Sequence, residues 1–254
     1  MDIHKLFDDK SDIYAQARPR YPQALYKWLA EQCPSHSAVW DVGCGSGQAA
    51  LDLRGYFETV QATDVSPSQI ENAPATAGVT FSVQPAESTN FADQTFDAVF
   101  VAQALHWFDH SKFWPEVMRV LKPNGVFAAW GYSWPHIDPE TDQLLDESLL
   151  SVIRSHWAVQ NQLLWDRYEG VASPFKPLPV PEFELIVSWS LKQFFAYLHS
   201  WSATRRCMDV QGDDFFENSY RQLSQQWVPE EIREVTMDFV VIAGINASPD
   251  SDGE

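Results

Sequence analysis

The apolar positions change period along the chain. Leu25, Trp28 and Leu29 fall on one helical face, which predicts a helix from Pro22 to about Cys33. Short β-branched or aromatic runs follow. Ala38 to Val42, Val60 to Thr63, Thr80 to Val83, Phe96 to Ala102 and Val126 to Trp130 read as strands. The stretches between them, Gln48 to about Gly55, a segment opening at Ser66-Pro67, and Asp109 to Leu121, read as helices. Alternation of this kind is the pattern of an α/β fold whose parallel strands are joined by crossover helices.

After Tyr132 the pattern changes. Pro139 to about Trp165 reads as one long helix or two, and Pro174, Pro177, Pro179 and Pro181 then mark a loop that cannot be helical. Phe183 to Ser190 reads as a strand, Leu191 to Trp201 and Asp213 to Gln226 as helices, and Val235 to Ala243 as a last strand. The expected organisation is a single domain over residues 1–254. Within it lie a ligand-binding core at 10–132, a mostly helical insertion at 133–182, C-terminal strands and helices at 183–246, and a polar, acidic tail at 247–254 that frays.

With 254 residues, 45% of them hydrophobic and 20% charged, the chain can bury a sizeable core. Its 35 acidic and 17 basic side chains leave a formal charge of −18, a sign that repels nucleic-acid backbones and anionic lipid, so neither is expected as a partner. The opening MDIHKLFDDKSDIY has neither a basic nor an apolar run of the signal-peptide kind, and no stretch of about 18 apolar residues occurs. Cys33, Cys44 and Cys207 are too few and too scattered for a disulfide framework, and a reducing, cytoplasmic setting is expected.

The informative segment is Asp41-Val42-Gly43-Cys44-Gly45-Ser46-Gly47, at the junction of a predicted strand and a predicted helix. Glycines there let the backbone turn tightly and let a ligand approach the helix N-terminus. A nicotinamide-dinucleotide fingerprint read from Gly43 would need glycine at 48, where Gln48 stands, so an oxidoreductase is the less favoured alternative. Asp64 ends the second predicted strand, where a carboxylate can accept from both hydroxyls of a ribose. Glu87 follows the third strand and Gln103 the fourth, at the strand ends where open α/β sheets bind ligands.

The D-V-G-C-G-S-G turn, Asp64, the Ala86-Glu87 turn, Phe96-Asp97-Ala98-Val99 and Leu121-Lys122-Pro123-Asn124-Gly125 together resemble the class I S-adenosylmethionine-dependent methyltransferases over residues 10 to 132. More narrowly, Tyr14, Arg18-Pro19-Arg20-Tyr21-Pro22 and Gln103-Ala104-Leu105-His106-Trp107-Phe108 are similar to the trans-aconitate methyltransferase-like group of small-molecule enzymes. The resemblance implies a Rossmann-like seven-stranded sheet in the order 3-2-1-4-5-7-6, with the last strand antiparallel. It implies S-adenosylmethionine as cofactor: Gly43, Gly45 and Gly47, with Asp41 in the same motif, at the methionine part, Asp64 at the ribose, and Ala86 and Glu87 at the adenine. Gln103 and Ala104 would lie on the methionine side near the methyl group, and Arg20 or Tyr14 at the cofactor carboxylate. The reaction expected is methyl transfer to a small molecule, with a carboxylic acid as the candidate; a protein that binds the cofactor without transferring its methyl is the alternative.

Just past the fourth strand, where a methyl acceptor would sit, His106 is the candidate general base or orienting group, beside Trp107. His106 and His110 have ligand spacing only if one helix runs through both, and Asp109 reads as the N-cap of the helix that follows, so no metal is expected. Trp134 belongs to a tryptophan-rich second half able to wall an apolar acceptor, and Arg205 and Arg206 are paired cations able to hold an anionic one.

Overall fold

The computed structural model describes residues 18–247. Tyr14 and residues 248–254 of the expected tail lie outside them. The chain divides into two compact units. Among the described residues, one comprises Tyr21–Tyr132, Gln162–Phe183 and residues 239–247; the other comprises residues 18–20, Ser133–Asn161 and Glu184–Asp238. Residues 162–183, expected in the insertion, thus pack with the core.

In the larger unit the chain forms α1 (Gln23–Gln32), β1 (Ala38–Val42), α2 (Gln48–Leu53), β2 (Thr59–Asp64), α3 (Pro67–Glu71), β3 (Val79–Val83), β4 (Phe96–Ala102) and α4 (His110–Val120). The strand β5 (Leu121–His136) then runs on into the second unit. Pairs β1–β2, β2–β3, β1–β4 and β4–β5 are all parallel, so their carboxyl ends lie at one edge of the sheet. Parallel strands covered on both faces carry near-continuous apolar runs. Accordingly, every residue from Phe96 to Val101 in β4 is buried, Asp97 among them. That aspartate is satisfied: its Oδ2 accepts from the N–H groups of Ser37 and Ala38, at 2.9 Å each, and its Oδ1 from Lys122 Nζ at 2.7 Å.

The helices keep their apolar stripes toward this sheet. In α4 the buried residues Phe113, Trp114, Val117 and Val120 recur at helical spacing. Asp109 caps the helix by accepting from Ser111 N–H at 3.1 Å, as its sequence position predicts.

In the second unit α5 (Pro139–Leu145), a π-turn at Asp146–Leu150, α6 (Ser151–Ile153) and a 3₁₀ turn at Arg154–His156 follow one another without a break. A second helix, α7 (Asn161–Trp165), leads back to the larger unit, so the region holds two helical runs. The proline-rich loop contains a two-residue strand, β6 (Lys176–Pro177), bonded to Ile245 and Gly244. Next come β7 (Leu185–Ser190), α8 (Leu191–His199), α9 (Ser202–Gln211), α10 (Asp214–Leu223) and β8 (Ile232–Ile245). A reciprocal capping box between Ser190 and Gln193 starts α8.

The sheet order is β3-β2-β1-β4-β5-β8, with β7 and the short β6 both antiparallel to β8. With β8 as the seventh strand and β7 as the sixth, this is the expected order 3-2-1-4-5-7-6, and β6 is one strand more than expected. Among the described residues no helix is long and apolar enough to cross a membrane.

Candidate active site

Gly43, Gly45 and Gly47 all have positive φ, of +67°, +55° and +94°. Two of them are also required by space. A Cβ on Gly43 would lie 2.7 Å from Ala104 Cβ and 3.2 Å from Phe108 Cζ, and one on Gly47 would lie 2.6 Å from the Phe81 ring. Gly45 differs, because a Cβ there would meet only Gln69 Oε1, at 3.9 Å. The turn is thus packed on two sides and open at its middle glycine, as a ligand-binding turn must be.

The turn is held to β2. Cys44 N–H donates to the Thr63 carbonyl at 2.9 Å, and the Asp64 carboxylate accepts from Gly45 N–H (2.9 Å, Oδ2) and from Ser66 N–H (2.8 Å, Oδ1). Each Asp64 oxygen takes one backbone proton and keeps lone-pair capacity for a further donor, which suits a ribose diol. Beneath the turn Asp41 is fully buried, and neither of its oxygens has a well-formed hydrogen bond. Burial pushes its carboxyl up to about 7, the weakly aligned Ala50 N–H opposes this, and nearby Asp64 adds to it. Cys44 is buried too, and burial, reinforced by Asp41 and Asp64, pushes its thiol up and disfavours the thiolate.

Glu87 and Gln103 have partners that their sequence positions do not reveal. Glu87 Oε1 accepts from Asp109 N–H at 3.0 Å, fastening the 86–87 turn to the start of α4. Gln103, with φ +58°, bonds the Tyr132 backbone twice: its Nε2 donates to the carbonyl at 2.7 Å and its Oε1 accepts the N–H at 2.8 Å. Its side chain therefore extends the β4–β5 ladder. Its own N–H donates to the Trp130 carbonyl at 2.8 Å, and the carbonyl of the buried Ala104 accepts from Trp107 N–H at 2.9 Å.

The approach of Ala104 and Phe108 to Gly43 sets the segment after β4 against the glycine turn. Within it a 3₁₀ turn, Leu105–Trp107, carries His106, which is 6% exposed and whose Nδ1 has no hydrogen-bond partner. Burial lowers its pKa to about 4, so the imidazole is neutral at ordinary pH. Trp107 is 49% exposed, its ring 4.9 Å from that of His106. The His110 ring donates to the Leu105 carbonyl at 3.0 Å, and His110 begins α4, so the two histidines do not share a helix.

The remaining candidates are in the other unit. Trp134 is half-buried, with its ring 6.1 Å from Trp157 and 6.1 Å from Trp201, inside an aromatic cluster that Tyr197 extends. Arg205 and Arg206 are exposed on α9, and Arg206 donates to the His156 carbonyl at 3.0 Å. Arg20 is exposed as well.

These residues suit S-adenosylmethionine: an open glycine turn at a strand-to-helix junction, and a carboxylate with unused acceptor capacity at the end of the next strand. Comparison with known proteins agrees. Residues 40–129 match the methyltransferase-domain family. A Dictyostelium discoideum protein named as a methyltransferase is 32% identical over 204 residues, 77% of this chain and 78% of that one. A solved structure from Anaeromyxobacter dehalogenans, described as a type II methyltransferase, is 36% identical, with a TM-score of 0.84 over 91% of this chain and 98% of that one. A Saccharomyces cerevisiae protein named as an S-adenosylmethionine-dependent methyltransferase is 27% identical over 142 residues, 52% of this chain and 48% of that one. Fold, glycine turn and relatives agree that the chain belongs to the S-adenosylmethionine-dependent methyltransferases.

Proposed function

We propose that the enzyme methylates a small molecule at a carboxylate oxygen, as members of the trans-aconitate methyltransferase-like group would. Bound at the glycine turn, S-adenosylmethionine supplies a methyl group on a positively charged sulfur. In the proposed arrangement Asp64 holds the ribose, the 86–87 turn borders the adenine, and the backbone of Gln103 and Ala104 lies along the methionine.

The observation that carries the choice of acceptor is the state of His106. An amine or a hydroxyl must lose a proton to be methylated, and a base with a pKa of about 4 is poorly matched to that task near neutrality. A carboxylate is already ionised and attacks with its own lone pair, while the bonding pair of the broken C–S bond stays on sulfur. What this chain must then provide is alignment and exclusion of water. His106 orients the acceptor and Trp107 offers it apolar surface. The net charge of −18 speaks against a nucleic-acid acceptor, and the free thiols of Cys33, Cys44 and Cys207 suit a cytoplasmic setting.

Methyl transfer from labelled cofactor to a panel of small carboxylic acids, phenols and amines tests the reading. Turnover confined to acids supports it, and turnover of amines or phenols with no acid accepted overturns it.

A further inference from the structure

Tyr168 follows α7 in the larger unit and is 3% exposed. Its hydroxyl is buried and has no hydrogen-bond partner. Buried polar groups are nearly always paired, so an unpaired phenol calls for a reason. The backbone delivers this side chain at a cost, because Arg167 and Tyr168 both adopt left-handed conformations, with φ +55° and +60°. Bulky residues avoid that region. The conformation is pinned by Arg167 N–H donating to the Leu164 carbonyl and Tyr168 N–H to the Leu163 carbonyl, at 2.9 Å each.

A second feature marks the same spot. Gly131, one residue past the Ala102–Trp130 pair at the carboxyl end of β4, has no room for a side chain. A Cβ there would lie 2.6 Å from Gln103 Oε1, 2.6 Å from Leu164 Cδ1 and 3.2 Å from the Tyr168 hydroxyl oxygen. The phenol oxygen and Gln103 Oε1 thus both crowd Gly131, and the segment that begins at Gln103 carries His106 and packs on the glycine turn. The buried polar atoms without partners include the Tyr168 hydroxyl and also His106 Nδ1, three residues past Gln103.

We propose that the Tyr168 hydroxyl donates a hydrogen bond to the acceptor's carboxylate, at the oxygen that is not methylated, and so selects acids over amines. The inference rests on the acid acceptor proposed above and adds a binding residue to it. Burial pushes the phenol pKa up, so the group stays protonated and acts only as a donor toward an anion. Held there, it would fix which carboxylate oxygen faces the methyl group, which is how a single donor contributes orientation as well as affinity.

Tyr168→Phe tests this, since it keeps the ring and removes only the hydroxyl. Loss of an unpaired buried hydroxyl should leave the melting temperature unchanged or higher. S-adenosylhomocysteine affinity should stay within about twofold, while the KM of every accepted acid in the panel should rise at least about tenfold, the fold-change expected for one hydrogen bond to a charged group. Unchanged KM values for the acids would overturn the inference and leave the acid reading standing. A parallel loss of cofactor affinity would also overturn it, by moving the hydroxyl to the cofactor. Wild-type enzyme that accepts no acid would overturn both. Should the Phe variant fail to fold, 3-fluorotyrosine placed at position 168 keeps the hydroxyl. Its fluorine resonance should shift when an accepted acid is added to the S-adenosylhomocysteine complex, and an unmoved resonance would refute the contact.

Discussion

Gly45 N–H donates to the Asp64 carboxylate across 2.9 Å, joining the glycine turn after β1 to the end of β2. A residue that reads in the sequence only as a candidate ribose acceptor is therefore also a strut of the glycine turn. In the proposed arrangement one side chain would serve both halves of the cofactor site.

Gly43 should tolerate no substitution. Its φ of +67° costs a non-glycine residue about 1 to 2 kcal/mol, and the added Cβ would press on Ala104 at 2.7 Å. Gly43→Ala should lower the melting temperature and weaken S-adenosylhomocysteine binding together. Gly45→Ala meets the same backbone strain in open space, so it should lower stability less and affect the ligand more. Calorimetric titration combined with thermal unfolding separates the two patterns.

Lys122 and Asp97 explain why the F-D-A-V and L-K-P-N-G stretches accompany the glycine turn. Lys122→Met would leave the buried Asp97 carboxylate with two backbone donors only, and should cost about 1 to 3 kcal/mol in urea unfolding without altering cofactor affinity. A loss of affinity at unchanged stability would mean that the pair acts on the site.

Much of this was legible from pattern. Strands 38–42 and 96–102 have the bounds that their apolar runs predict, and Asp109 caps the helix it was expected to cap. What was hidden is instructive. β5 extends from Leu121 to His136, well beyond 126–130, because Pro123-Asn124-Gly125 looks like a turn yet Asn124 N–H, at φ +59°, bonds the Asn246 carbonyl. α9 carries no signal in the sequence because it buries only small side chains, Ala203, Thr204 and Cys207, which give no apolar stripe. The partners of Glu87 and Gln103 are set by tertiary contact, and no composition signal announces that Arg167 and Tyr168 turn left-handed.

His106 and Asp41 give stability opposite pH slopes. His106 has its ordinary pKa of 6.5 lowered to about 4, so from pH 6.5 down to about 4 the unfolded chain binds a proton that the folded one refuses, and stability falls with acid. Asp41 is raised from 3.8 to about 7, so across that range the folded chain keeps a proton that the unfolded one releases, and stability falls as pH rises. Each effect reaches up to about 1.4 kcal/mol per pH unit. Denaturant unfolding from pH 4 to 8 should show His106→Gln gaining stability on the acid side relative to wild type, and Asp41→Asn gaining it on the neutral side. Identical pH profiles for wild type and either variant would remove that residue from the account.

The most direct measurement is calorimetric titration of S-adenosylhomocysteine into wild type and Asp64→Ala. Wild type should bind in the micromolar range and show no comparable affinity for NAD. The variant loses the strut to Gly45 and the proposed acceptor for the ribose, hydrogen bonds to a charged group worth about 1.5 to 3 kcal/mol each, and should bind at least about tenfold more weakly while remaining folded. Equal affinity in a folded Asp64→Ala protein, or tighter binding of NAD than of S-adenosylhomocysteine by wild type, would contradict the assignment of this turn as the cofactor site.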